Sequence, residues 1–232
     1  MRRHGLTLLI DADDTLWENN IYFEEVIDAF CGLIEARGGS REAAREALYA
    51  IERVRTRTNG YGVKNFHGSL RQTCCELLGD DHATEVAEIE KLCASLARRR
   101  VAILPEVEET LRELSGRHRM ILFTKGDLDD QLQKVQRSGL GRYFHRVDVV
   151  REKDTGSYVD AAMRHGFRAD AAWMVGNSPK SDILPALDAG LGAVFIPHER
   201  TWELERGELP PVEGLDGRLL VLDRFGDLTD HF

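Results

Sequence analysis

Residues 6–10, LTLLI, form a short apolar run that ends abruptly in DADDT, which places Asp11, Asp13 and Asp14 side by side. A run this short and this apolar reads as a parallel strand buried on both faces. In an open parallel sheet, ligands bind beyond the carboxyl ends of the strands, so the carboxylates stand where a site would form. Comparable strands are predicted at MILFT (120–124), RVDVV (146–150), WMVG (173–176), GAVFIP (192–197) and RLLVL (218–222). Helical segments alternate with them. DLDDQLQKVQRSG is ended by Gly139, SYVDAAMRHG is stopped by Gly166, and SDILPALDAG carries Pro185 in its first turns. This alternation predicts an α/β fold, a Rossmann-like three-layer core with helices on both faces of a parallel sheet.

Between the first and second strands the texture changes. FEEVIDAFCGLIEARGG and REAAREALYAIERVRTR have helical period, with Val26, Ile27, Phe30, Leu33 and Ile34 on one face. Gly38-Gly39 closes the first helix and Ser40 is placed to cap the next. The stretch TNGYGVKNFHGS interrupts the helices with three glycines before they resume toward Arg100. The organisation expected is a core domain of 1–17 and 101–232, with an all-helical cap domain inserted over 18–100.

The 232 residues suffice for such a pair of domains, and the formal net charge of -9 argues against a general affinity for nucleic acid. It leaves room for an anionic substrate, because a bound cation and local lysines can reverse the sign inside one cleft. No apolar stretch is long enough to span a membrane, and the first apolar run is too short for a signal peptide. Cys31, Cys74, Cys75 and Cys93 have no metal-ligand spacing and read as reduced thiols of a cytoplasmic protein.

Four strand ends carry polar groups in order: Asp11 to Thr15; Thr124 with Lys125; Lys153 in REKDTG; and GNSPKSD, ending at Asp182. The pattern resembles the haloacid dehalogenase superfamily along the whole chain, including the helical insertion after the first motif. Asp11, Asp13 and Thr15 look like its D-x-D-x-T motif, Thr124 its second, Lys153 its third, and Gly176 through Asp182 its acidic fourth. DDTLWENN, GYGVKNF and VGNSPKSDILPALDAG look like a capped, phosphatase-like subgroup.

The resemblance implies Asp11 as a nucleophile that takes up a phosphoryl group, and Asp13 as the acid that protonates the leaving oxygen and then deprotonates water. Thr124 and Lys153 would stabilise phosphoryl charge. Mg2+ would be held by Asp11, the Asp13 carbonyl, Asp182 and Asn177, since a hard cation prefers oxygen. Asn177 departs from the family pattern, which often has an acid there. Asp14 and Thr15 are expected to shape the turn. Lys125, and Lys64 in the glycine-rich cap stretch 59–66, are the candidate substrate-binding cations. The expected substrate is a small phosphorylated metabolite, with no nucleic acid and no membrane partner, acted on by a monomer or homodimer. A phosphomutase, a 2-haloacid dehalogenase and a non-catalytic binding protein on the same core remain as alternatives.

Overall fold

A computed structural model describes all residues except Met1, Arg2, His4, Asp80, Asp81 and Glu213. The chain divides into two compact units, Met1–Asn20 with Val101–Phe232, and Ile21–Arg100.

The first unit is built on strands β1 (Thr7–Ile10), β2 (Arg119–Lys125), β3 (Arg146–Val150), β4 (Ala172–Gly176), β5 (Gly192–Phe195) and β6 (Leu219–Val221). All pair in parallel, in the order β3-β2-β1-β4-β5-β6. The apolar runs are unbroken because both faces are covered. Leu8, Ile10, Met120, Leu122, Trp173 and Val175 pack on one side with Val107, Leu111 and Leu114 of helix Val107–Ser115 and with Val135. Leu9, Ile121, Phe123 and Met174 pack on the other with Tyr158, Ala161 and Ala186. Each fully buried aliphatic side chain contributes roughly 1.5–3 kcal/mol, so the alternation within each strand ties its register to both layers. The order reverses direction at β1, and the crevice between the carboxyl ends of β1 and β4 is the place such sheets offer to ligands.

The second unit packs helices α1 (Asn20–Ala36), α2 (Arg41–Asn59), α3 (Val63–Leu78) and α4 (Ala83–Ala97). Val26, Ile27, Phe30 and Ile34 of α1 meet Leu48, Phe66, Leu70, Ile89 and Cys93 in one apolar cluster. Ser40 caps α2 by accepting the N–H of Ala43 at 3.3 Å. The expected break over TNGYGVKNFHGS shrinks to Gly60–Gly62. Gly60 and Gly62 take φ of 76° and 108°, a region that favours glycine, and α3 begins at once. Lys64 therefore sits on a helix and not in a loop. Gly68 lies inside α3, where a Cβ would come within 2.2 Å of the Arg55 guanidinium.

In the first unit, α5 (Val107–Ser115) precedes β2, and α6 (Leu128–Ser138) and α7 (Thr155–His165) follow β2 and β3. The segment expected as one helix over SDILPALDAG is a π turn, Pro179–Ile183, followed by α8 (Leu184–Asp188). Pro185 lacks an N–H and fits only near a helix start, so the helix begins anew there. A short helix α9, Leu228–His231, ends the chain. The four cysteines are free thiols, three of them buried. Among the described residues, no helix is long and apolar enough to cross a membrane.

Candidate active site

Asp11 is the first residue beyond β1, and its N–H donates to the Val175 carbonyl at 2.9 Å. Its carboxylate pairs with the Lys153 ammonium through one oxygen. The other oxygen accepts the Thr15 hydroxyl at 3.1 Å. Lys153, from the segment after β3, also reaches Asp182 at 2.7 Å. The second Asp182 oxygen accepts the Ser178 N–H at 2.9 Å. That approach depends on Gly176, where a Cβ would lie 2.2 Å from the Asp182 carboxylate. All three side chains are buried, so two carboxylates share one ammonium away from water.

The electrostatics follow. Burial pushes Asp11 up to about 7, against the pull of Lys153 and with the Asp182 charge adding to the rise. Burial opposes the charge on Lys153, but Asp11 and Asp182 outweigh it and hold that lysine above its ordinary value. Tyr158 donates its hydroxyl to the Ser181 carbonyl at 2.8 Å, and burial together with the nearby acids raises it well above a usual tyrosine.

Asp13 belongs to a separate network. One oxygen accepts the Trp17 indole N–H at 2.7 Å and the Lys134 ammonium at 2.9 Å. The other accepts Lys134 at 2.8 Å and the Gln131 amide at 2.8 Å. Burial alone would raise Asp13, but Lys134, then Gln131 and Trp17, overcome it and hold the carboxyl below its usual range.

Lys125 heads a third network. Its ammonium donates to Glu205 at 2.5 Å, Ser181 at 2.8 Å and Glu152 at 3.2 Å. Glu205 also accepts the Ser178 and Ser181 hydroxyls, at 2.6 and 2.5 Å. Burial works against the Glu205 charge, but Lys125 and the two hydroxyls lower its pKa. The Thr124 hydroxyl, buried at the end of β2, meets the Lys125 carbonyl at 3.5 Å, a weak contact that leaves it able to donate elsewhere.

Asn177 is buried after β4. Its amide oxygen faces the Thr15 hydroxyl at 3.3 Å, and its N–H reaches Thr201 at 3.3 Å. Thr15 thus touches both the expected nucleophile and Asn177, a more direct role than shaping the turn. Asp14 accepts the N–H groups of Asn19 and Asn20 at 2.8 and 3.0 Å and so caps the start of α1. Asp14, Glu18 and His198 lie close enough to hold a cation. The His198 Nδ1 accepts the Arg200 N–H at 3.3 Å and its Nε2 lies 3.3 Å from Glu18. His198 Nδ1 also lies 4.0 Å from Asp14, so the histidine stands between the two acids. Lys64 is exposed on the first turn of α3 and takes part in none of these networks.

The geometry thus joins Asp11, Thr15, Lys153, Asn177 and Asp182. It puts Asp13 with Lys134, Gln131 and Trp17, and Lys125 with Glu205. Lys134, Gln131, Trp17 and Glu205 did not emerge from the sequence. A signal for the first two exists in α6: Gln131 and Lys134 stand at i, i+3 on one face, and a glutamine there is fully buried.

A carboxylate at the end of β1 paired with a lysine from beyond β3, which also meets an acid from beyond β4, defines a class. Residues 6–190 match the haloacid dehalogenase-like hydrolases, and the chain belongs to that family. It is similar to a phosphoserine phosphatase of Thermus thermophilus, 27% identical over 82% of this chain and 87% of that protein. It is 30% identical to a glyceraldehyde 3-phosphate phosphatase of Methanothermobacter thermautotrophicus over 54% of this chain, a match spanning only 57% of that enzyme's length. Among solved structures, a haloacid dehalogenase-like family hydrolase from Xanthomonas campestris superposes with a TM-score of 0.83 at 27% identity, over 97% of this chain and 93% of that one.

Proposed function

We propose that this hydrolase cleaves a small phosphate monoester with the aid of Mg2+, through a phosphoryl group carried on Asp11. The observation that carries the reading is the excess of acid at the β1–β4 crevice. Asp11 and Asp182 face one ammonium, while Asp13 and Glu205 have cations of their own. Burial, with the Asp182 charge adding to it, pushes Asp11 up to about 7 against the pull of Lys153, and a further cation there would favour its charged form. The donors are hard oxygens, Asp11, Asp182 and the Asn177 amide, with the Asp13 carbonyl nearby in the chain, and that set fits Mg2+. When bound, the ion would lower the repulsion between the phosphate and the attacking carboxylate.

The residues of the chain do the rest. Asp11 attacks phosphorus as the bond to the leaving oxygen breaks, and Asp13, which is ionised at rest and must first take up a proton from water against the hold of Lys134, gives that proton to the leaving oxygen. Water then attacks the aspartyl-phosphate, Asp13 takes the proton back, and phosphate leaves. Lys153 and the Thr124 hydroxyl steady the phosphoryl oxygens. Both phosphatases that the chain resembles are named for small phosphorylated metabolites, which supports that substrate class. Lys64 is proposed to influence which ester binds, in a monomer or homodimer working in the cytoplasm.

The test is a panel of phosphorylated metabolites assayed for phosphate release with and without Mg2+. Rapid acid quenching should trap an alkali- and hydroxylamine-labile phosphate on the peptide containing Asp11. Halide release from 2-haloacids in the absence of metal, without any phosphate release, would replace this reading with dehalogenation.

A further inference from the structure

We infer that Lys134 is the positioning residue of Asp13, a tether that aims the acid while its two neutral partners come away; this rests on the phosphohydrolase reading above. A carboxylate offers about four acceptor positions. On Asp13 four hydrogen bonds occupy them, one from Trp17, one from Gln131 and two from Lys134. Nothing remains for a leaving oxygen or for water. For Asp13 to exchange a proton with either, at least one of these bonds must open.

Which one opens follows from their strengths. Hydrogen bonds from an ammonium are roughly twice as strong as those from neutral N–H groups. Trp17 and Gln131 are neutral donors. Lys134 is charged, and its third bond, to the Asn19 side chain at 2.8 Å, anchors it to the segment after β1. Gln131 has a second acceptor within reach, the Lys125 carbonyl at 3.3 Å, so its amide is not stranded when it lets go. Asp13 therefore turns about its contact with Lys134. Among the described residues the side chains that hydrogen-bond Asp11, Thr15 and Lys153, are not those that hydrogen-bond Asp13.

The experiment compares kcat and KM for an alkyl phosphate and for p-nitrophenyl phosphate, with Mg2+ saturating. The proteins are the wild type, Lys134→Met, Lys134→Arg, Gln131→Leu, Asp13→Asn and the Lys134→Met/Asp13→Asn double variant, each checked for a cooperative melt. A misaimed catalytic group costs up to roughly 100-fold, so Lys134→Met should lose about that much kcat on the alkyl ester. The loss should be much smaller on the aryl ester, whose leaving oxygen needs little protonation, and KM should hold. Lys134→Arg should recover a large part, Gln131→Leu should cost less than Lys134→Met, and the double variant should be no worse than Asp13→Asn alone. Equal losses on both esters, or losses that multiply in the double variant, would reduce Lys134 to a structural ion pair and overturn the inference. If Lys134→Met does not fold, Lys134→Arg decides by the same ester ratio. A wild type that releases no phosphate from any ester fails the functional reading first, and the tether falls with it; an active wild type with equal losses fails the tether alone.

Discussion

The two units of the chain differ in how densely they pair acid with cations. In the α/β unit Asp11, Asp13, Asp182 and Glu205 each have an ammonium within contact, and Asp14 has two backbone N–H groups. In the helical unit Glu85 has Arg37 at 2.9 Å, but Glu52 is buried on α2 with an oxygen that has no hydrogen-bond partner. Burial, with the Glu24 charge adding to it, pushes Glu52 up to about 7. The difference teaches what pairing is for. Burial raises an acid wherever cations do not outweigh it: Asp14, held by two backbone N–H groups, and Asp11, which shares its ammonium with Asp182, are pushed up to about 7 just as Glu52 is, while Asp13, with Lys134 to itself, is held below its usual range.

The largest effect should come from breaking the pairing where it is densest. Lys153→Met leaves Asp11 and Asp182 buried without their ammonium. Removing one partner of a buried pair typically costs about 3–5 kcal/mol. A clear fall in the urea midpoint at pH 8 is expected, with phosphate release lost. Asp11→Asn acts on the same cluster with the opposite sign for stability. It removes the carboxylate that burial raises to about 7, so above that pH the variant should be at least as stable as the wild type while turnover vanishes. A variant that unfolds as readily as Lys153→Met would show that Asp11 supports the fold as well as the chemistry.

The metal half of the cluster should respond next. Asp182→Asn removes a charged oxygen that the proposed Mg2+ would use, and Asn177→Ala removes an amide held between Thr15 and Thr201. Loss of a group supporting a metal ligand typically costs 10–100-fold in affinity or activity. The Mg2+ concentration for half-maximal activity should rise in both variants, and more in Asp182→Asn. If Asn177→Ala leaves it unchanged, the amide serves the turn before the π turn and the cation rests on Asp11, Asp13 and Asp182.

How much of this was legible in the sequence varies with the kind of signal. The sheet was readable because its strands are apolar on both faces, as Leu8 and Ile10 against Leu9 illustrate. Asp11, Lys153 and Asp182 were readable because each follows a strand in order. The Asp13 partners were hidden by α6 itself. Leu128 and Leu132 occupy the positions a helical stripe would bury, yet they are 56% and 44% exposed, while polar Gln131 faces inward. Periodicity thus points α6 the wrong way around, since the inner face serves a carboxylate. Glu205 lies in the long connection between β5 and β6, where no period marks a buried side chain. In the helical unit, three glycines suggested a long loop, but only Gly60 and Gly62 take the positive φ that ends a helix; Gly68 makes room for Arg55 instead.

The smallest effect tests the unpaired side of the comparison. Glu52 has an ordinary value of 4.5 when exposed and about 7 in the fold. Below pH 4.5 both the folded and unfolded forms carry the proton, and burial of the neutral acid is at its least costly. Between pH 4.5 and 7 the folded form keeps the proton and the unfolded form has released it, so stability from this group falls steadily as pH rises. Above pH 7 the carboxylate is buried as an ion and the penalty is constant. Glu52→Gln keeps the shape and cannot ionise. Its gain over the wild type should therefore be near zero at pH 4.5, grow through the interval and level off above 7. Each kcal/mol recovered corresponds to about 2–4 °C if the whole chain melts as one, and to about 4–8 °C if the helical unit melts by itself. Melting temperatures of the two proteins from pH 4.5 to 8.5 give the difference curve directly. A flat curve would mean that Glu52 finds a donor in solution, and that the helical unit pairs its buried acid as the α/β unit does.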